Sequence, residues 1–278
     1  MKINEKISEA LDNVRKKTPL VHHITNYVTV NDCANITLAL GGSPVMADDI
    51  NEVRDMIAFA SAFVINIGTL NSRTVESMLE GGKRANELNI PVILDPVGAG
   101  ATPYRTEAAK KIMEQVKLSV IRGNLSEIKT LYGIETQTKG VDSGELIDES
   151  ADEFTTAKKV ARDFAKKINA VVAITGAVDI ITDGSKLYTA HNGHKIMSKI
   201  TGTGCMCTSL IGSFLGAVED KLVAALAGIV SMSLAGEIAY ENLEKNNEGT
   251  GTLRTRIIDA VYNLDEKTIL ERGKINEE

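Results

Sequence analysis

The sequence predicts an α/β fold, a mostly parallel central sheet with helices on both faces, and three observations predict it. Short β-branched runs recur along the chain, amphipathic stretches of helical length separate them, and the runs are apolar at consecutive residues instead of alternate ones. A strand apolar on both faces must be covered on both faces, which is the condition of a parallel sheet in a doubly wound domain.

The elements follow in order. Met1-Lys2-Ile3-Asn4-Glu5-Lys6 opens a polar helix and has none of the apolar core of a secretory signal. A short apolar segment then carries His22-His23, neighbours that a strand turns to opposite sides. A hydrogen-bonded structural role is the ordinary outcome for at least one of them. Gly41-Gly42 stops a helix, and Ser43-Pro44-Val45-Met46 continues as a short strand. Apolar runs predict strands at residues 62–67, 91–94, 118–121 and 170–174, and the stretches between them predict helices at 51–60, 74–89, 106–115 and 153–168. A further helix, Leu125–Tyr132, holds Glu127 in its first turn. Within residues 180–188 an Asp183-Gly184-Ser185 turn lies between apolar runs, a hairpin signal that places an antiparallel edge after the parallel block.

From Gly204 onward the chain reads as almost wholly helical, beginning with a small-residue helix at 205–218. The most apolar stretch, 222–239, is interrupted by Gly228, Ser231, Ser233 and Gly236, which suits a buried helix better than a membrane span. Residues 134–152 are polar and acidic, either a lid or a solvated insertion. No repeat or shift in composition marks a linker, so one domain covering 1–278 is expected.

Composition narrows the function. Aromatic residues make up only 4%, with no Trp, so the core rests on Val, Ile, Leu, Ala and Met, and a site of stacked rings is not expected. A net charge of −6 argues against a nucleic-acid partner, which needs clustered Lys and Arg. No membrane partner is expected either. The cysteines are Cys33, Cys205 and Cys207, an odd number with two of them one residue apart. Free thiols in a reducing cytoplasm follow, and nothing completes the ligand set of a structural zinc.

Ligands of an open α/β sheet bind beyond the carboxyl ends of its strands. The residues there are Gly68 and Thr69, Asp95-Pro96-Val97-Gly98, Arg122-Gly123-Asn124, and Thr175-Gly176. Asp95 can hold a metal, orient a nucleophile or cap a turn. Arg122 can bind an anion or form a structural ion pair. Glu127 is favoured by the helix dipole whatever its function. The strongest local signal is Thr201-Gly202-Thr203-Gly204-Cys205, glycines alternating with hydroxyl residues just before a helix. Amide groups and the helix dipole there form an anion site, although a tight turn has the same look. The chain contains no Walker P-loop pattern. Cys205 falls in the first turn, where the dipole is expected to pull a thiol below its usual pKa of about 8.5 and suit it to act as base, nucleophile or redox group. Met46 can line a pocket or fill the core.

Taken in order, several motifs form a recognisable series. They are His22-His23-Ile24-Thr25-Asn26-Tyr27-Val28, Asn31-Asp32-Cys33-Ala34-Asn35, Gly41-Gly42-Ser43-Pro44-Val45-Met46-Ala47, Asn66-Ile67-Gly68-Thr69-Leu70 and Leu94-Asp95-Pro96-Val97-Gly98-Ala99. After them come Ile121-Arg122-Gly123-Asn124 with Glu127, then Gly140-Val141-Asp142-Ser143, then Thr201-Gly202-Thr203-Gly204-Cys205. The series resembles the hydroxyethylthiazole kinase family. The resemblance implies a ribokinase-like fold and transfer of the ATP γ-phosphate to the hydroxyl of 4-methyl-5-(2-hydroxyethyl)thiazole in thiamine salvage. It also implies Mg²⁺ dependence and a homotrimer with active sites between subunits. By position, Met46, Gly202 and Asn26 look like thiazole contacts, and Arg122 and Thr175 like ATP contacts. Asp95 and Glu127 look like the acidic pair around magnesium, possible through water. Gly202, Thr203, Gly204 and Cys205 look like the anion hole, and Cys205 stands where most ribokinase-like enzymes have an aspartate base.

Overall fold

The computed structural model describes residues 1–134 and 151–278. Residues 135–150, which hold Gly140-Val141-Asp142-Ser143 and nearly all of the stretch read as a lid or insertion, lie outside the described residues.

Helix α1 (Ile3–Lys17) leads into β1 (Leu20–Ile24), α2 (Val30–Leu40), β2 (Ser43–Val45) and the short α3 (Val53–Ile57). Regular alternation follows through β3 (Ala62–Asn66), α4 (Ser72–Glu87), β4 (Val92–Asp95), α5 (Pro103–Gln115), β5 (Val120–Gly123) and α6 (Leu125–Tyr132). Next come α7 (Ala151–Ile168), β6 (Val171–Ile174) and the hairpin of β7 (Asp179–Thr182) and β8 (Leu187–Ala190). The C-terminal third holds α8 (Thr203–Leu215), α9 (Lys221–Lys245), α10 (Thr250–Tyr262), α11 (Glu266–Arg272) and β9 (Ile275–Glu277).

Among the described residues the strands form one sheet in the order β2-β1-β3-β4-β5-β6-β7-β8-β9. The first six are parallel, and β7, β8 and β9 add antiparallel at one edge. All five residues of β3 are buried, and their side chains divide between two cores. Ala62 and Val64 pack with α1, α2, α8, α9 and α10, whereas Phe63 and Ile65 pack with α3 to α7. This division explains the consecutive apolar residues, since each burial stabilises by about 1.5–3 kcal/mol whichever face it uses.

Helix α9 has the length and composition of a membrane span, but 89% of its apolar window is buried in the protein, so its hydropathy reflects a core position. One expectation needs correction. The helix expected over 51–60 contracts to Val53–Ile57, because Asp49 to Asn51 form a turn in which Asp49 accepts the Asn51 amide. The C-terminal region is almost wholly helical, as expected, and its last element, Ile275–Glu277, is a short strand that pairs antiparallel with β8 and covers the sheet edge. Three half-buried or exposed residues carry no period by which to be recognised.

Candidate active site

The carboxyl ends of the six parallel strands form one rim. Along it stand Met46 after β2, Asn26 after β1, Asn66 ending β3, Asp95 ending β4, Arg122 in β5 and Thr175 after β6. Strand β1 has β2 on one side and β3 on the other, so the chain direction across the sheet reverses there. A crevice at such a reversal is where open α/β sheets bind ligands. The Cys205 thiol lies against both sides of it, accepting from Asn26 Nδ2 at 3.2 Å and from Asn66 Nδ2 at 3.3 Å.

From Cys205 a polar chain crosses the rim. Asn66 Nδ2 also donates to Asp95 Oδ2 at 3.0 Å, and Thr208 Oγ1 donates to the same oxygen at 2.7 Å. Arg122 Nη1 stands 3.7 Å from Asp95 Oδ2, and its Nη2 donates to Thr175 Oγ1. Arg122 thereby joins the acid to the start of the next loop. Asp179 supports that loop from below, accepting the Gly176 amide at 3.0 Å.

Gly202 caps α8 with φ +89°, a left-handed backbone that glycine adopts without strain. No side chain caps this helix. Its first intrahelical bond runs from Met206 N to Gly202 O at 2.8 Å, which leaves the amides of Thr203, Gly204 and Cys205 without an intrahelical acceptor. Arg122 lies directly on this turn: a Cβ placed on Gly204 would sit 2.6 Å from Arg122 Nη1. Free amides and a guanidinium therefore face one another at the start of α8, the electrostatics of a phosphate site.

The expected acidification of Cys205 is not found. Burial, with a smaller effect from the Asp95 charge, pushes its thiol up to about 12. The helix terminus supplies only a partial charge, and here it is outweighed by lost solvation. Cys207 is buried and also pushed up to about 12, mainly by burial, so neither sulfur is a resting thiolate. The three cysteines are free.

Asp95 and Glu127 form an acidic pair. Asp95 is fully buried and its pKa is raised by burial, with Arg122 opposing. Glu127 is pushed up to about 7, by burial first and by the charge of Asp95 second. Each Glu127 oxygen already accepts a backbone amide, from Gly98 and from Asn124, both at 2.8 Å. The Glu127 backbone N–H in turn donates to Asn124 Oδ1 at 2.9 Å, completing a capping box. Asp95 Oδ1, by contrast, is buried with no hydrogen-bond partner. That orphaned oxygen beside a second carboxylate suits a hard cation. Among the described residues no three His, Cys, Asp or Glu side chains cluster as a metal cage. Magnesium needs none, since it takes one or two carboxylates and completes its shell with phosphate and water. The residues fit it: Asp95 and Glu127 are the two carboxylates that would hold it, directly or through water.

Met46 is placed by its neighbours. His22 Nε2 donates to Ala47 O at 2.6 Å, tying the segment after β2 to β1. His23 bonds Val21 O at 3.0 Å and is pushed down to about 4, chiefly by burial. Both histidines are buried and structural. Met46 stays at the sheet edge, with β1 between its strand and β3.

Sequence reasoning missed Asn66, Thr208 and Asp179. The strand expected over 62–67 placed Asn66 in its interior, whereas the strand ends at Asn66 itself. Thr208 could have been found by adding one helical turn to Gly204. Asp179 carries no local signal, because the fold of the following loop alone makes it an acceptor.

A profile of the hydroxyethylthiazole kinase family matches residues 11–267. A hydroxyethylthiazole kinase of Alkaliphilus oremlandii is 57% identical over 277 residues, with full coverage of both chains. One of Clostridium tetani is 56% identical over 278 residues, covering 99% of each. The solved structure of a hydroxyethylthiazole kinase protein from Pyrococcus horikoshii superposes with a TM-score of 0.88 at 39% identity, covering 99% of each chain. The pyridoxal kinase of Staphylococcus aureus, solved with pyridoxal, has a TM-score of 0.55 at 17% identity over 79% of this chain and 88% of its own. That likeness shows the ribokinase-like fold alone. Matched by the profile over most of its length and more than half identical to full-length relatives, the chain belongs to the hydroxyethylthiazole kinase family.

Proposed function

We propose that this chain moves the γ-phosphoryl group of ATP onto the hydroxyl of 4-methyl-5-(2-hydroxyethyl)thiazole, a step of thiamine biosynthesis and salvage, within one kinase domain spanning 1–278. The carrying observation is the Arg122 guanidinium packed on Gly204 at the uncapped start of α8. Phosphoryl transfer needs positioning and charge neutralisation more than covalent chemistry.

The amides of Gly202, Thr203, Gly204 and Cys205 form the anion hole for the moving group. Arg122, braced by Thr175 and Asp95, offsets the charge on its oxygens. Asp95 and Glu127 would hold magnesium, directly or through water, and the ion when bound would supply neutralisation of the phosphate oxygens. The thiazole alcohol lies in the crevice against Gly202, Asn26 and Met46. Its oxygen bonds to the γ-phosphorus as the bond to the bridging oxygen of ADP breaks. The hydroxyl proton leaves late in a loose transition state and passes to an oxygen of the transferred phosphoryl group, so no strong base is required. A thiol held near 12 therefore acts as orienter of the alcohol, not as its base.

We further propose a cytoplasmic homotrimer with active sites between subunits. Tyr27 and Val28, next to Asn26, are 79% and 55% exposed, which suits burial by a second copy. The test of function is direct: the purified protein with Mg-ATP and the thiazole alcohol yields ADP and the phosphate ester in equal amounts. ADP formed without ester, or no turnover, refutes the assignment.

A further inference from the structure

Asn66 is nearly fully buried and lies opposite Asp95 in the β3–β4 ladder. Its amide orientation follows from its partners. The Gly68 backbone N–H points at Asn66 Oδ1 from 2.9 Å, and a backbone N–H can only donate. The Asn66 oxygen therefore faces Gly68, and its NH₂ faces Asp95 Oδ2 and Cys205 Sγ. Asn26 is oriented in the same way: the Thr29 N–H donates to its Oδ1 at 3.1 Å, so its NH₂ faces Asn66 Oδ1 and Cys205 Sγ.

Each NH₂ carries two hydrogens, and all four have an acceptor. Asn66 gives one to Asp95 and one to Cys205; Asn26 gives one to Asn66 and one to Cys205. The sulfur thus accepts from two amides, which occupies both lone pairs of a neutral thiol. It can receive nothing from an alcohol and can only give its own proton. The Thr29 hydroxyl donates to Asn26 Oδ1 at 3.0 Å, accepts from Cys33 Sγ at 3.8 Å and also hydrogen-bonds with the Cys205 side chain; its remaining lone pair is the resting acceptor of the S–H, which the alcohol oxygen replaces on binding.

We infer that Asn66 is a positioning residue: together with Asn26 it holds Cys205 as an acceptor, and so aims the S–H at the oxygen of the alcohol to be phosphorylated. The inference rests on the kinase reading and adds to it a direction for one hydrogen bond and a link between the thiol and Asp95.

Two measurements test it. In the intact protein, the infrared S–H band that is lost in Cys205→Ala should move to lower frequency when the thiazole alcohol binds. An unmoved band overturns the inference. The second measurement is a kinetic cycle. Asn66→Ala, or the isosteric Asn66→Asp, should lower kcat by about tenfold or more while ATP affinity holds. The same change in a Cys205→Ala background should cost several-fold less, the remainder reporting the lost bond to Asp95, because residues acting through one another are not additive. Equal losses in both backgrounds would make Asn66 structural or a partner of Asp95 alone, and overturn the inference. Failure of the unmodified protein to phosphorylate the alcohol would instead refute the kinase reading, a separate outcome.

Discussion

Replacing Gly204 by alanine tests the placement of Arg122. Gly204 is helical, with no positive φ, so alanine is conformationally welcome and gains up to about 1 kcal/mol in helix propensity. Its methyl would stand 2.6 Å from Arg122 Nη1 and 3.1 Å from Nη2. Non-bonded contact needs about 3.5 Å, so the guanidinium must withdraw by about 1 Å. It sits at the end of a long side chain and can do so without moving the backbone. Withdrawal breaks its bond to Thr175 and its approach to Asp95. Misplacement by about 1 Å can reduce a rate about 100-fold. Gly204→Ala should therefore fold but melt below the unmodified protein, because parting Arg122 from buried Asp95 costs more than the helix propensity returns, while kcat with Mg-ATP and the thiazole alcohol falls by roughly two orders of magnitude. Calorimetry and steady-state kinetics read the two quantities. A variant with kcat within about twofold of the parent would show that Arg122 does not act on the transition state.

Gly202→Ala should lower stability, because its φ of +89° is strained for alanine and the methyl would lie 2.5 Å from Thr29 Cγ2. The left-handed backbone alone costs about 1–2 kcal/mol, so a Tm equal to the parent's would contradict the geometry. Cys205→Ser keeps a hydrogen-bond donor but is a far weaker acid than a thiol. If Cys205 only orients the alcohol, kcat should stay within about tenfold of the parent, whereas a collapse of several orders of magnitude would restore the thiol as base. Asp179 bears on pH dependence. Its carboxyl is raised from 3.8 to about 7, first by burial. A raised acid contributes stability below its unfolded pKa, and that contribution is lost as pH rises through the folded value. Asp179→Asn keeps an oxygen for the Gly176 amide and should flatten the fall in Tm between about pH 4 and 7. An unchanged pH profile would count against the assignment.

The local pattern determined much of this protein. Consecutive apolar residues at Ala62 to Ile65 require cover on both faces, and that requirement alone implies the parallel sheet. Alternating glycines before α8 were legible as an anion site or a tight turn, because peptide geometry acts over a few residues. Asp95 and Arg122 were legible as polar residues ending apolar runs. Three things depended on tertiary structure. The strand order brings Asn26 and Asn66 together although 40 residues separate them, and only that juxtaposition directs the thiol. The edge strand Ile275–Glu277 exists because β8 offers it unpaired backbone groups, which its own composition does not announce. The acidity of Cys205 reversed direction for the same kind of reason: a helix dipole can be read from sequence position, but burial and the nearby Asp95 charge belong to residues that meet only in the folded chain.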